Sequence, residues 1–187
     1  MSTEKLFMLL LGCRPPGRNT EQHDIFFSIG PSLGSLKEDI LRFWPEAKGK
    51  VHIDAWREVS QVDGFAVKVV KRDGSMDKDQ THRLFFLNLG GYKPGEFEEY
   101  HYKMLSAGTG KADAIKAARQ TAFYKHTGFK GAEAHIDDKY GVDVDEVHEI
   151  EDILPERVKE MYMIRLERNE GLREDEMQLG YLKLEKI

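Results

Sequence analysis

The stretch LFMLLLGCRPPGRNTEQHDIFFSIG, residues 6–30, decides the predicted fold because a similar stretch recurs later in the chain. Residues 84–108 read LFFLNLGGYKPGEFEEYHYKMLSAG and align with it at a constant offset of 78, without a gap. Of the 25 aligned positions 11 are identical, whereas ordinary composition gives about one or two by chance. The sequence therefore predicts an internal duplication.

Each copy is predicted to fold as two strands, a helix and two further strands. The apolar run at 5–12 is typical of a central strand, and glycine and proline then break it. The other elements of the first copy are predicted at 23–30 (strand), 35–45 (helix), 50–59 (strand) and 64–70 (strand). In the second copy they are predicted at 84–91, 101–108, 111–128 (helix), 131–138 and 161–167.

These elements predict an α+β protein of two tandem strand-strand-helix-strand-strand repeats, with mostly antiparallel sheets in a pseudo-twofold arrangement. One helix covers one face of each small sheet, and the second copy is expected to cover the other apolar face. The predicted boundaries are 1–72 for the first repeat module, 73–82 for a linker and 83–187 for the second module. The second module includes an insertion at 146–157 and a C-terminal extension that ends in a further strand.

The N-terminal segment EKLFMLLLGC, residues 4–13, also resembles a bacterial lipoprotein signal with Cys13 as the lipid acceptor. Its apolar run is too short for a secretory signal, and the similar LFFLNLGG lies mid-chain, so a strand is favoured. Cys13 aligns with Gly91, which favours a small buried filler over a nucleophile. A single cysteine cannot form an internal disulfide, so we expect a cytoplasmic protein.

Composition limits the partners that we expect. The formal charge of −5 argues against nucleic acid and anionic membranes, and 40% apolar with 33% charged residues is typical of a globular chain. A small-molecule or protein partner remains open, as does the choice between monomer and homodimer. The loop at 12–20 carries Arg14 and Arg18, but Pro15 and Pro16 lack the N–H donors that a phosphate loop needs.

Polar residues kept in both copies are the candidate site. Glu21 and His23 stand two residues apart, as do His52 and Asp54, and in a strand such pairs point to the same face. VHIDA (51–55) aligns with AHIDD (134–138), which completes the predicted set of Glu21, His23, His52, Asp54, Glu99, His101, His135 and Asp137. The histidines are the metal-ligand candidates. The alternative is that each pair only pins a loop through hydrogen bonds.

The pattern L-x-L-G-x-x-x-P-G-x-x-x-E-x-H, then a helix, then H-I-D, resembles a bacterial domain of unknown function, number 1543, whose members carry one or two copies. The resemblance covers about residues 5–70 and 83–166. Its residues are Gly12, Pro16, Gly17, Glu21, His23, His52 and Asp54, and again Gly90, Pro94, Gly95, Glu99, His101, His135 and Asp137. The resemblance implies no activity and no cofactor, so the cofactor stays unknown.

Three functions remain open from the sequence. The first is a non-enzymatic protein that binds a ligand or partner at the junction of the duplicated modules. The second is a metal-dependent or acid–base enzyme that uses the duplicated Glu, His, His and Asp set. The third is a purely structural role for those residues.

Overall fold

The computed structural model of the chain describes residues 4–72, 80–92, 95–120, 142–169, 171 and 173–187. The chain divides into two compact units, one made of 1–79 with 153–187 and the other of 80–152. Within the described residues, every paired strand is antiparallel and the helices are short. This mixture confirms the predicted α+β class. No described helix is long and apolar enough to cross a membrane.

A four-stranded antiparallel sheet organises the first unit. Its strands are β1 (Lys5–Cys13), β2 (Gln22–Gly30), β3 (His52–Val59) and β10 (Gln178–Lys183), in the order β10-β3-β1-β2. The apolar run of β1 places it between two neighbours, as predicted for a strand buried on both faces. The predicted C-terminal strand is confirmed as β10, at one edge of this sheet.

One face of this sheet packs against the helix α1 (Lys37–Phe43), which follows a short 3₁₀ turn at Leu33–Leu36. Phe7, Leu9 and Leu11 of β1 are buried with Ile40 of α1 in this core. Because side chains alternate along a strand, Leu6, Met8, Leu10 and Gly12 lie on the other face, here called the face opposite α1.

Cys13 belongs to the core on the α1 side, where its side chain is 1% exposed. Burial raises the pKa of the Cys13 thiol, and the nearby carboxylates of Glu21 and Glu46 raise it further. This agrees with the prediction of a buried filler.

Cys13 in the folded protein is expected to react with a thiol reagent at least about 100-fold more slowly than in the unfolded chain, because access needs local opening. The measurement is the rate of release of thionitrobenzoate at pH 8, with and without denaturant. Since Cys13 is the single cysteine, the denatured sample is an internal control. Equal rates in both samples would contradict the buried assignment.

The first unit has a second sheet, in which the sequence predicted a strand correctly but not its partner. Its strands are β4 (Gln61–Val62), β5 (Phe65–Lys71) and β9 (Tyr162–Arg168), in the order β4-β5-β9. The sequence assigns β9 to the second module, whereas it pairs with β5 along its whole length. Alternation of apolar residues identifies a strand but does not specify its neighbour.

The division into units also differs from the predicted boundaries. The prediction extends the second module to residue 187, but 153–187 group with the first unit. This segment includes the short helix α4 (Glu156–Met161), which follows α3 (Ile150–Ile153). Side chains of this segment bond to the N-terminal residues: Arg157 Nη2 donates to Asp39 Oδ2 at 3.0 Å.

The second unit contains a three-stranded sheet with a helix on one face. Its strands are β6 (Arg83–Tyr92), β7 (Glu99–Gly108) and β8 (Val142–Glu149), in the order β7-β6-β8. Ala114 and Ala118 of the helix α2 (Lys111–Ala118) are buried against Phe85, Leu87 and Leu89 of β6. Small alanine side chains allow α2 to approach the sheet closely. The helix ends at Ala118 and a turn follows at 119–120, whereas residues 121–128 of the predicted helix lie outside the described residues.

The third strand of the second copy differs from the prediction. Residues 131–138, with His135 and Asp137, lie outside the described residues. The strand that pairs with β6 as β3 pairs with β1 is β8, so 146–149 are part of the sheet and the predicted insertion at 146–157 is wrong there. The shared His-Ile-Asp sequence led the prediction to equate 134–138 with 51–55 in place of β8. Backbone pairing depends on register and not on sequence identity.

Candidate functional site

Glu21, His23, His52 and Asp54 converge at one end of the face opposite α1, and we call them the first cluster. Gly12 of β1 pairs with His23 of β2 on one side and with His52 of β3 on the other. Residues that are directly paired in a sheet point to the same face, so the two imidazoles flank the glycine.

The contacts of the first cluster form a closed ring in which imidazoles and carboxylates alternate. His52 Nε2 lies 3.1 Å from Glu21 Oε1 and 3.3 Å from Asp54 Oδ1. His23 Nε2 lies 3.3 Å from Asp54 Oδ2 and 3.9 Å from Glu21 Oε2. Every contact therefore joins an Nε2 atom to a carboxylate oxygen.

A β-bulge in β3 positions Asp54. The pairing of β1 with β3 shifts between Leu10 and Leu11, which pair with Ala55 and Ile53 and leave Asp54 as the extra residue. A bulge changes the direction of a side chain at a strand end, and bulges are common beside functional sites.

Gly12 makes room for the cluster. A Cβ atom at this position would lie 2.4 Å from Asp54 Oδ2 and 2.6 Å from His52 Nε2, far inside van der Waals contact. Gly12 does not belong to the left-handed backbone positions of the chain, so no turn requires glycine here. The space that its missing side chain leaves is the physical reason for the residue.

One carboxylate oxygen of Asp54 has no hydrogen-bond donor among the described residues. Its Oδ2 atom is shielded from solvent and makes no hydrogen bond of good geometry with any described residue, although His23 Nε2 lies 3.3 Å away. His52 is 9% exposed, whereas His23 and Glu21 remain nearly half exposed. The cluster thus has a buried side at His52 and at the Oδ2 atom of Asp54, and an open side towards solvent.

Tyr181 packs against His52 at the first cluster, and no pattern in the sequence predicted this contact. Its ring centroid lies 4.3 Å from that of His52, with an angle of 39° between the planes. Tyr181 is on β10, where Lys183 pairs with His52. The contact restricts the orientation of the His52 imidazole.

The second unit has a related group at the same end of its sheet, made of Glu99, His101 and Asp145, which we call the second cluster. His101 Nε2 lies 3.8 Å from Glu99 Oε2 and 3.5 Å from Asp145 Oδ2. One ligand atom from each of the three residues can be chosen so that all lie within 4.8 Å of one another.

The backbone around the second cluster repeats that of the first. The pairing of β6 with β8 shifts between Asn88 and Leu89, which leaves Asp145 as the extra residue. Gly90 pairs with His101, and a Cβ on Gly90 would lie 2.3 Å from Asp145 Oδ2. The hydrogen bond of Tyr92 to Glu99 raises the pKa of the Tyr92 hydroxyl and holds that carboxylate.

The sequence therefore selected most of the residues that converge. It selected all four of the first cluster and two of the second, namely Glu99 and His101, but missed Asp145. One signal for Asp145 was present: VDVD at 142–145 fits VHID at 51–54 at an offset of 91. No repeat signal exists for Tyr181, because β10 lies outside both copies.

The ligand types of the first cluster, two imidazoles and two carboxylates, suit a divalent transition metal. Zinc–nitrogen and zinc–oxygen bonds of about 2.0–2.2 Å in a tetrahedron place neighbouring ligand atoms about 3.3–3.6 Å apart. The four Nε2-to-carboxylate separations run from 3.1 to 3.9 Å, but they involve both oxygens of each carboxylate. Within the described residues, one ligand atom from each of three residues lies within 4.8 Å of the others in the second cluster and not in the first, so the first cluster must close around an ion by side-chain movement. Imidazole suits zinc, iron, cobalt and nickel, and carboxylates also accept manganese.

Comparisons with known proteins agree with this fold. Residues 18–69, which include the whole first cluster, match the family described as Domain of Unknown Function (DUF1543). The chain is similar to the crystal structure of a protein, Il1583, from Idiomarina loihiensis, with 20% identity and a TM-score of 0.62 over 97% of this chain and 98% of that chain. At this identity the likeness shows the fold alone. No curated protein matches the chain.

Proposed function

We propose that this protein binds a divalent transition-metal ion through Glu21, His23, His52 and Asp54, as a non-enzymatic binding protein. The observation that carries the proposal is that two imidazoles and two carboxylates converge around Gly12. Any larger residue in place of this glycine would fill the site with its side chain. The ion would be the ligand of the first module.

Proton counting favours a metal over a purely structural ring. Each imidazole Nε2 carries at most one hydrogen, so two imidazoles can donate two hydrogen bonds at these atoms. The ring has four Nε2-to-carboxylate contacts, and Asp54 Oδ2 is left without a hydrogen bond within the described residues. A cation bound among these residues would accept both Nε2 atoms and one oxygen of each carboxylate as ligands, after side-chain movements that bring these atoms together.

The charges of the first cluster also favour a bound cation. With neutral imidazoles the first cluster carries a formal charge of about −2 from Glu21 and Asp54, whose carboxylates face the same imidazoles. Like charges that share a partly buried site repel each other, and a divalent cation removes this repulsion. Metal binding is therefore expected to raise the free energy of unfolding.

The duplication is part of the proposal. Both units keep the glycine, the Glu-x-His pair, the bulge and the aspartate at the bulge. The glycine, the histidine and the bulge lie at matching register positions in the two sheets. Two tandem copies explain this agreement more simply than independent origin. The pseudo-twofold arrangement stays a prediction.

The remaining expectations extend the proposal. We place the protein in the cytoplasm, as a monomer or homodimer, with no nucleic acid or membrane among its partners. Acid–base catalysis by the same residues is the rival function, and its sign would be turnover that depends on His23 without a bound metal.

The test is metal binding by wild type and by Asp54→Asn in the full chain, stripped with a chelator and titrated calorimetrically with Zn²⁺. Loss of one anionic ligand is expected to weaken binding at the first cluster at least about 100-fold. The matched control is Asp24→Asn on β2, which removes the same charge outside the cluster. His23→Gln and His148→Gln form a second pair, in which only His23 belongs to the ring.

The thermal shift gives an independent readout. Zn²⁺ at 100 times its dissociation constant is expected to stabilise the wild type by about 2.7 kcal/mol. Less than about a tenth of an equivalent of bound metal in the wild type, with no shift on adding Zn²⁺, Mn²⁺ or Fe²⁺, would favour the structural role.

A further inference from the structure

We infer that the second unit holds a second cation site, formed by Glu99, His101 and Asp145, which discriminates less strongly against hard cations such as Mn²⁺ than the first. The inference extends the proposed function to a different ligand set in a different unit. The existence of the second site depends on the geometry of the second unit and is tested without the first site, whereas the difference in selectivity rests on the proposed function of the first cluster.

The second cluster is arranged in the same way as the first. Its three ligand residues come from two strands, and Asp145 is placed by the same kind of bulge as Asp54. Gly90 leaves the space that a Cβ would take from Asp145 Oδ2, at 2.3 Å. The three residues are exposed to solvent, and their chosen ligand atoms lie within 4.8 Å of one another, so side-chain movement can bring them to one cation.

The ligand chemistry differs by one imidazole. The first cluster has His52 opposite Gly12, whereas the residue that pairs with Gly90 is Asp143, an aspartate. The described ligands of the second cluster are therefore one nitrogen donor and two carboxylates. Hard cations prefer oxygen ligands, whereas imidazole favours the later transition metals.

The row of residues beside each cluster differs as well. In the first unit this row on the face opposite α1 is apolar, and it consists of Leu10, Ile25 and Ala55. In the second unit the matching row is polar, and it consists of Asn88, Lys103 and Glu146.

The polar row suits a cation that keeps part of its water shell. Asn88 Nδ2 donates to Glu146 Oε2 at 2.7 Å, while Asn88 Oδ1 is buried and makes no hydrogen bond with the described residues. Waters on a hard cation can hydrogen-bond to such a row, whereas an apolar row offers them no partner.

The expected result is a difference in selectivity. Zn²⁺ binds more tightly than Mn²⁺ to both clusters, because both contain imidazole and the general order of affinities applies. The ratio of Zn²⁺ to Mn²⁺ affinity is expected to be at least about tenfold smaller at the second cluster, since it has fewer nitrogen ligands.

The test uses two full-length variants, each with one cluster disabled. Asp54→Asn reports the second cluster and Asp145→Asn reports the first, and circular dichroism checks that both are folded. Mn²⁺ binding is measured by loss of the free-ion electron paramagnetic resonance signal, and Zn²⁺ binding by calorimetry. Glu99→Gln and its neighbour Glu98→Gln are the matched pair, because only Glu99 belongs to the cluster.

The outcomes separate the two proposals. Uptake of one Mn²⁺ by Asp54→Asn that is lost in the Asp54→Asn/Glu99→Gln protein but kept with Glu98→Gln supports the second site. No Mn²⁺ or Zn²⁺ uptake by Asp54→Asn, with Zn²⁺ still bound by Asp145→Asn, overturns the second site and leaves the first. Equal Zn²⁺ to Mn²⁺ ratios in the two variants overturn the difference in selectivity.

Discussion

Gly12→Ala is expected to lower Zn²⁺ affinity at the first cluster at least about 100-fold while the protein stays folded. The new Cβ would lie 2.4 Å from Asp54 Oδ2 and 2.6 Å from His52 Nε2, so both side chains must rotate away. Because these atoms are the ends of side chains and not backbone, the sheet can accept the methyl group. The free energy of unfolding without metal is expected to change by less than about 1 kcal/mol.

Gly17→Ala is the matched control for this prediction. Gly17 has φ +82°, and no other atom lies within 4 Å of the place that an added Cβ would take. Alanine there therefore strains the backbone without contacting the cluster. It is expected to destabilise the protein by about 1–2 kcal/mol and to leave Zn²⁺ affinity unchanged. The measurements are calorimetric titration and urea unfolding of both variants. Normal Zn²⁺ binding by Gly12→Ala would refute the assigned role of the glycine.

Asp39→Ala is expected to reduce the free energy of unfolding by about 2–3 kcal/mol. The Asp39 side chain is 3% exposed, and its Oδ2 accepts hydrogen bonds from Ser28 Oγ at 3.2 Å and Arg157 Nη2 at 3.0 Å. Alanine would leave the fully buried Ser28 hydroxyl without this acceptor. It would also remove a contact that connects the helix α1 to the 153–187 segment.

The control for Asp39→Ala is Glu38→Ala in the same turn of α1. Glu38 pairs with Arg42 at 3.1 Å, but its side chain is 81% exposed, so its removal is expected to cost less than about 0.5 kcal/mol. Both values come from urea unfolding at pH 7. A similar cost for the two variants would mean that burial of Asp39 contributes little to stability.

Much of the fold could be predicted from the sequence because its strongest signals are local. The apolar run before Gly12 identified β1, and the recurrence of that run identified β6. The partner of β9 could not be predicted, because its alternating residues fit the sheet of either unit equally well. Pairing is a choice among long-range contacts, and the alternation of polar and apolar residues does not encode it.

In the candidate site, too, the local spacing of residues could be predicted from the sequence, whereas the contacts between strands could not. Spacing of two residues placed Glu21 with His23, and His52 with Asp54, on one face of each strand. That the two pairs meet depends on both strands flanking β1 in one register, which no local pattern specifies. Asp145 was missed because no sequence motif marks a bulge position. The match of AHIDD at 134–138 to VHIDA at 51–55 was also stronger than the match of VDVD at 142–145 to VHID at 51–54.

The sequence by itself determined the α+β class, and it predicted the duplication and the polar residues common to both predicted copies, because these follow from identity and periodicity along the chain. Only the tertiary structure decided that Gly12 and Gly90 are glycines because carboxylates occupy the place of a side chain. It also decided that the two clusters, as far as their residues are described, differ by one imidazole. These are facts about distances between strands, and strand pairing brings together residues that the sequence keeps far apart.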